Sequence, residues 1–302
     1  MTQQTLLWEE FQRQGFVLVR GLLTPEEVQQ YVSRLEALSG IRREDFSRAR
    51  HTPPALQKSW TLPDGVSKQR DFWPLISDER LLTAVRSILG KPIRYLQHSD
   101  LHVGFSAIAW HRDSVNRAYG VGPDWDESGA EYQLVRVGIY LQSFAESNFR
   151  LGFIPGSNQW AERQRFGHRK HHELRLRVLS AASFLSPAWQ MRAARAVWVV
   201  TEPGDCIIFD PRLLHSGSAI TGPKYSIFLA YGIENHHFER HYHYYRHVRR
   251  ELQYDDLAPE LVQQLRLHNL LAGVSTATMP LAEAFRPGSL SQRVARHFTG
   301  RH

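Results

Sequence analysis

From about residue 92 onward the chain is written in short β-rich runs cut by Gly, Pro, Asn and Asp. They are IRYLQHSDLHVGFSAIAWH, YQLVRVGIYLQSF, RLGFIPGS, AVWVVTEPGDCIIFDP and YSIFLAYGI. Close-set short strands bounded by turn residues suit a sandwich or barrel of antiparallel strands, not a parallel sheet with crossover helices. The fold class expected is mainly β with flanking helices: a double-stranded β-helix, or cupin-like jelly roll. At 302 residues, 42% of them hydrophobic, the chain can bury the core that such a fold needs.

The rest of the chain reads as support for that core, within one domain spanning 1–302. Residues 1–90 form the amino-terminal support, with a short amphipathic helix (LLWEEFQRQ) and a strand (GFVLVRGLL). A helix then opens on Thr24, Pro25 and Glu27, a capping box with proline at the first helical position, and stops at Gly40. Residues 41–75 are polar and broken by prolines, and are expected as loop over the core or its mouth. The β core is placed at about 90–235. A basic helical insertion at about 159–196 interrupts it, and a helical extension follows from about 239 to 302.

Two segments carry the chemistry. His111, Arg112 and Asp113 sit in FSAIAWHRDS, and His215 closes the turn that follows the apolar strand GDCIIFDP. Residues two apart on a strand face the same way, so His111 and Asp113 both face a barrel interior while Arg112 points away. With His215 from a later strand they make a 2-His-1-carboxylate triad, which suits Fe(II) and leaves coordination positions open. A rival cluster, NHHFERHYHYYRH, places His237 with His241 and His243 with His247 on shared helical faces. It lacks an evident carboxylate, and the interleaved aromatics read as a packed face with surface histidines. His168, His171 and His172 read as solvated.

With both segments in view, the chain resembles the phytanoyl-CoA dioxygenase family of Fe(II)/2-oxoglutarate oxygenases. The amino-terminal QGFVLVRGLLTPEEV, the FIPGSN segment and GDCIIFDPRLLH carry the likeness over about 15–235. It implies His111, Asp113 and His215 as iron ligands, with 2-oxoglutarate and O2 as co-substrates. It also implies oxidation, most simply hydroxylation, of an unactivated C–H bond of a small molecule. Family members usually place an arginine about ten positions after the distal histidine to clamp the far carboxylate of 2-oxoglutarate. Here Lys224 stands there, and Ser226 would share its strand face. Lysine makes a point-charge contact where arginine makes a fork. Phe149 replaces a usual glycine and Asn158 a common histidine. Asp113 is retained, unlike in halogenating members. Trp110, Tyr132, Arg136 and Arg150 flank the triad in sequence and are candidates for substrate contact.

Charge and composition limit the remaining classes. The net charge of +7 rests on 32 Arg against five Lys, scattered rather than clustered. It leaves an anionic substrate open but supplies no basic stripe or module of a nucleic-acid binder. One cysteine, Cys206, excludes a disulfide framework or a thiolate zinc site within the chain. No apolar run approaches the roughly 20 residues of a membrane span. The opening residues lack the basic-then-apolar pattern of an export signal, so a cytoplasmic protein is expected. Two alternatives stay open: a metal enzyme of the same fold that does not use 2-oxoglutarate, and a non-catalytic β-barrel binding protein.

Overall fold

The plan of the fold is set by one seven-residue strand, Leu134–Tyr140, whose side chains sort cleanly by parity. Val135, Val137 and Ile139 are fully buried on one face, while Leu134, Arg136, Gly138 and Tyr140 line the other. The computed structural model describes residues 3–46, 57–90, 92–107, 109–114, 131–159, 168–182 and 186–274. Within them the strands are β1 (Phe16–Val19), β2 (Trp60–Pro63), β3 (Arg94–Tyr95), β4 (Asp100–Val103), β5 (Leu134–Tyr140), β6 (Leu151–Phe153), β7 (Val197–Val199), β8 (Cys206–Phe209), β9 (His215–Gly217) and β10 (Tyr225–Gly232). The larger sheet runs β1-β8-β5-β10-β4-β2, with β3 also on β10, and the smaller runs β7-β6-β9. All of these pairings are antiparallel. The expected jelly roll is the fold observed.

The sheets meet through Phe16, Phe153 and Phe209. Phe16 stacks on Phe153 at 4.3 Å between ring centroids, and Phe153 lies 5.6 Å from Phe209. Phe209 and Phe153 each also face His215, at 4.9 and 6.2 Å. One end of the inter-sheet space is therefore an aromatic plug, and the polar site begins where the plug stops.

Helices cover the other face of the larger sheet. The first long ones are α1 (Gln3–Gln14), α2 (Pro25–Ser39) and α3 (Glu79–Leu89). The α2 capping box is present as its sequence required: Thr24 Oγ1 accepts from Glu27 N at 3.3 Å, and Glu27 Oε2 accepts from Thr24 N at 2.8 Å. Gly40 ends the helix at φ 67°. Later helices are α4 (His168–Ala182), α5 (His236–His243) and α6 (Pro259–Leu267). No helix among the described residues is long and apolar enough to cross a membrane.

Two expectations need correction. The amino-terminal third is more than helical support, because β1 and β2 form the two edges of the larger sheet. Within 41–75, expected as loop, Trp60–Pro63 pairs along β4, Pro63 opposite Asp100. A proline is tolerated at the end of an edge strand because no neighbour asks for its missing N–H, so the breaker signal misleads there.

Candidate metal centre

Local chain geometry brings the triad together. The buried run Cys206–Phe209 ends at Asp210-Pro211, and a turn closed by Leu213 N donating to Asp210 O (2.9 Å) sends the chain back as β9. His215 then pairs with Phe153 on one side and with His111 on the other. His111 and His215 exchange both backbone hydrogen bonds, each 3.0 Å. Only His111 makes this bridge, so the expected strand through Asp113 is not continuous. Asp113 is held instead by its N–H donating to Pro211 O at 2.8 Å. Arg112 turns away, 1% exposed, its Nε donating to Arg212 O at 2.7 Å. Both halves of the triad thus hang on the single segment 211–215.

His111 Nε2 lies 3.8 Å from Asp113 Oδ1, and His215 Nε2 lies 3.6 Å from Asp113 Oδ2. All three donors fall within 4.8 Å of one another. Donors bonded to one ion at roughly 2 Å stand about 3 Å apart, so a small contraction of the three side chains encloses a metal. The tautomers suit this. His111 Nδ1 lies 2.7 Å from Ala109 O, and His215 Nδ1 lies 2.9 Å from Leu213 O. A carbonyl can only accept, so each Nδ1 carries the proton and each Nε2 keeps its lone pair for the cluster. Burial, then the neighbouring His111, push His215 down to about 3, which keeps it a neutral ligand.

Arg136 stands beside the carboxylate. It is 3% exposed, its Nη2 donates to Asp100 Oδ2 at 2.7 Å and its Nη1 donates to the His98 carbonyl. Its Nε faces Asp113 Oδ2 at 3.7 Å. A buried guanidinium committed to two carboxylates is a support for Asp113, not a free clamp for an anion.

Lys224, just before β10, is 3% exposed. Its Nζ donates to Phe105 O (2.7 Å) and to Ser226 Oγ (3.0 Å), and sits 4.6 Å from the Phe149 ring centroid. No carboxylate pairs with it among the described residues, and burial pushes its ammonium down to about 7. A buried cation with neutral neighbours is costly unless an anion completes it. The donor set therefore fits the far carboxylate of a dicarboxylate whose other end reaches the metal.

The other sequence candidates have their own packing partners. Trp110 packs edge-on against Trp198 at 5.7 Å, in a cluster with Ile154, Leu176 and Leu179. Tyr132 lies under the Arg212 guanidinium at 4.1 Å, and Arg150 sits over Phe144 at 4.5 Å. The histidine-rich stretch also departs from expectation: His237, His241 and His243 are buried, not on the surface. His241 Nε2 lies 2.8 Å from His98 Nδ1, His98 stacks on Tyr245 at 3.6 Å, and Tyr245 OH donates to Asp113 O at 3.4 Å. The segment after β10 thus walls the metal pocket. Asp100, His98 and Tyr245 were missed in the sequence; the alternation of Asp100 and His102 on β4 was the available signal. The side chains of His168, His171 and His172 lie outside the described residues.

A family model described as phytanoyl-CoA dioxygenase matches residues 11–226. The ectoine dioxygenase of Streptomyces coelicolor is 27% identical over 156 residues, which cover 49% of this chain and 48% of that protein. The chain thus spans about half the length of that relative. Among solved structures, HygX from Streptomyces hygroscopicus with nickel, 2-oxoglutarate and hygromycin B bound superposes with a TM-score of 0.53 at 18% identity, over 77% of this chain and 87% of that one. SnoK, a non-heme α-ketoglutarate-dependent carbocyclase from nogalamycin biosynthesis, gives 0.51 at 17% identity over 80% and 90%. These two likenesses are of fold.

Proposed function

The chain belongs to the phytanoyl-CoA dioxygenase family, and from that premise we propose that it is an Fe(II)/2-oxoglutarate-dependent oxygenase that oxidises an unactivated C–H bond of a small molecule. His111, Asp113 and His215 hold the metal, and Lys224 with Ser226 holds the far carboxylate of the co-substrate. The observation that carries this reading is the buried Lys224 ammonium, unpaired with any described carboxylate and bonded to Ser226, which pairs with β5, the strand whose Arg136 lies beside Asp113. A metal enzyme with no dicarboxylate co-substrate gives no reason to bury that charge.

Bound there, Fe(II) with 2-oxoglutarate and O2 supplies the oxidising power, the oxo acid leaving as succinate and CO2. The protein's part is placement. The Nδ1–H bonds of His111 and His215 fix both imidazole planes, and Arg136 limits the swing of Asp113. The Phe16, Phe153 and Phe209 plug and the wall from His98 to Tyr245 bound the centre on two sides, with His215 buried and the His111 and Asp113 side chains 25% and 17% exposed on the open side. Lys224 and Ser226 would hold the far carboxylate of the co-substrate and leave its oxo-acid end for the metal.

The test is succinate release. Fe(II)-loaded protein given 2-oxoglutarate in air is expected to form succinate by slow uncoupled turnover even without its own substrate, and His215→Ala is expected to abolish it. Wild-type protein that binds iron yet releases no more succinate than the variant would contradict the reading.

A further inference from the structure

Both histidine ligands lean on the peptide carbonyl two residues back, and a serine holds each of those peptides from its other edge. His111 Nδ1 bonds the carbonyl of Ala109. The N–H of the same peptide, carried by Trp110, donates to Ser180 Oγ at 3.0 Å. His215 Nδ1 bonds the carbonyl of Leu213, and the N–H of that peptide, carried by Leu214, donates to Ser157 Oγ at 2.8 Å. A trans peptide is flat, with its N–H and C=O on opposite edges, so a hydroxyl that anchors the N–H also aims the carbonyl. Serine, peptide and imidazole form the same chain of bonds twice.

The two serines come from different elements. Ser157 is fully buried in the turn after β6. Its own N–H donates to Ile154 O at 3.1 Å, and Ile154 N donates to Leu214 O at 3.0 Å. Ser180 lies on α4, in the helical insertion between β6 and β7. Leu176 and Leu179 share its helix face, and they are buried in one cluster with Ile154 and Leu214, Trp110 packing against it. That packing fixes Ser180 over the Trp110 N–H, while Leu174 and Val178 on the far side of α4 stay exposed. Gln190 adds a further tie from the same insertion, its Nε2 donating to Gly217 O at 2.6 Å and to Ser216 Oγ. The insertion thus grips the chain beside both ligands, at Trp110, Leu214 and Ser216.

We propose that Ser180 and Ser157 are positioning residues for the metal centre, Ser180 acting on His111 and Ser157 on His215, each through the peptide whose carbonyl holds the imidazole. The proposal rests on the reading of those histidines as metal ligands and deepens it. One bond has two effects. The hydroxyl keeps the carbonyl aimed at Nδ1, so the ring proton stays there and Nε2 keeps its lone pair for the cluster. A peptide whose N–H is bonded is also a stronger acceptor, because bonds in a chain polarise one another, and a firmer bond at Nδ1 makes the imidazole a better donor to a metal. The insertion is therefore part of the centre and not a decoration on the jelly roll.

Long-range ¹H–¹⁵N spectra of the metal-free protein, at a pH where both imidazoles are neutral, read each tautomer directly. Both rings of the wild type are expected in the Nδ1–H form. Ser180→Ala should bring in the Nε2–H form of His111 and leave His215 unchanged, and Ser157→Ala should do the reverse. Alanine is favourable in a helix, so the Ser180 arm does not hinge on the fold surviving. Ser180→Thr, which restores a hydroxyl, should return the wild-type spectrum. Titration with Co(II), followed by its visible bands, should find Ser180→Ala weakened by about tenfold and Ser180→Thr at the wild-type affinity. Unchanged tautomers and unchanged Co(II) affinity in Ser180→Ala would overturn the proposal. A wild type that binds no Co(II) would overturn the metal reading itself, and this inference with it, whatever the tautomers show.

Discussion

A lysine that the fold destabilises by burying is informative at the scale of the single residue. Lys224 is held at about 7 by burial alone. Between that value and the ordinary lysine range, the unfolded chain carries a proton that the folded one lacks. Raising the pH through this window therefore favours folding, and below about 7 the fold must hold the charge at a cost on the order of several kcal/mol. A bound carboxylate reverses the balance by stabilising the charged form, so co-substrate binding takes up a proton above pH 7. Its affinity for the Mn(II) protein should fall between pH 7 and pH 9, and the Lys224→Met protein should bind no 2-oxoglutarate at either pH. The same variant should melt higher than wild type at pH 7 when ligand-free. A Lys224→Met protein that melts lower and still binds would show the lysine to be structural. The lysine's position was legible in the sequence from its distance after His215. The absence of a described acid partner was not, because that depends on three strands and the turn at Phe105.

At the scale of the element, the metal centre depends on β6 and β9 holding register. Gly152 lies on β6 between Leu151 and Phe153, and a Cβ there would meet the Trp198 ring at 2.7 Å. Phe153, the next residue, is the register partner of His215. Gly152→Ala is therefore expected to cost about 1–3 kcal/mol in urea unfolding by overpacking and also to weaken Mn(II) binding by shifting β9. Thr24→Ala, which removes the α2 cap at a cost of about 1 kcal/mol, supplies the contrast, because it should leave Mn(II) affinity unchanged. Equal metal affinity in Gly152→Ala and wild type would show that the centre does not need this register. Elements with local signals were readable: Thr24, Pro25 and Glu27 announced α2, and the β-rich run YQLVRVGIYLQSF announced β5. β2 was not, since WTLP is short, ends in proline and is defined by its pairing with β4. The wall formed by His98, His241 and Tyr245 was hidden for a related reason: helical spacing shows which histidines share a face, but not what that face packs against.

At the scale of the whole molecule, two sheets share one interior that is apolar at the Phe16–Phe153–Phe209 end and polar around His111, Asp113 and His215. The jelly roll followed from the spacing of short strands, and the ligand triad from two segments about a hundred residues apart. The neighbours of those ligands did not follow. Arg136 looked like a clamp for substrate and proves to be committed to Asp100 and Asp113, a distinction that sequence adjacency does not carry. An Fe(II)/2-oxoglutarate oxygenase requires iron and 2-oxoglutarate to meet at one centre, and anaerobic absorption spectroscopy tests that most directly. Fe(II) is added to metal-free protein, then 2-oxoglutarate. A weak visible charge-transfer band that appears only with the second addition, and is absent from Asp113→Ala, is the predicted result. Iron bound to the wild type with no band after 2-oxoglutarate would contradict it.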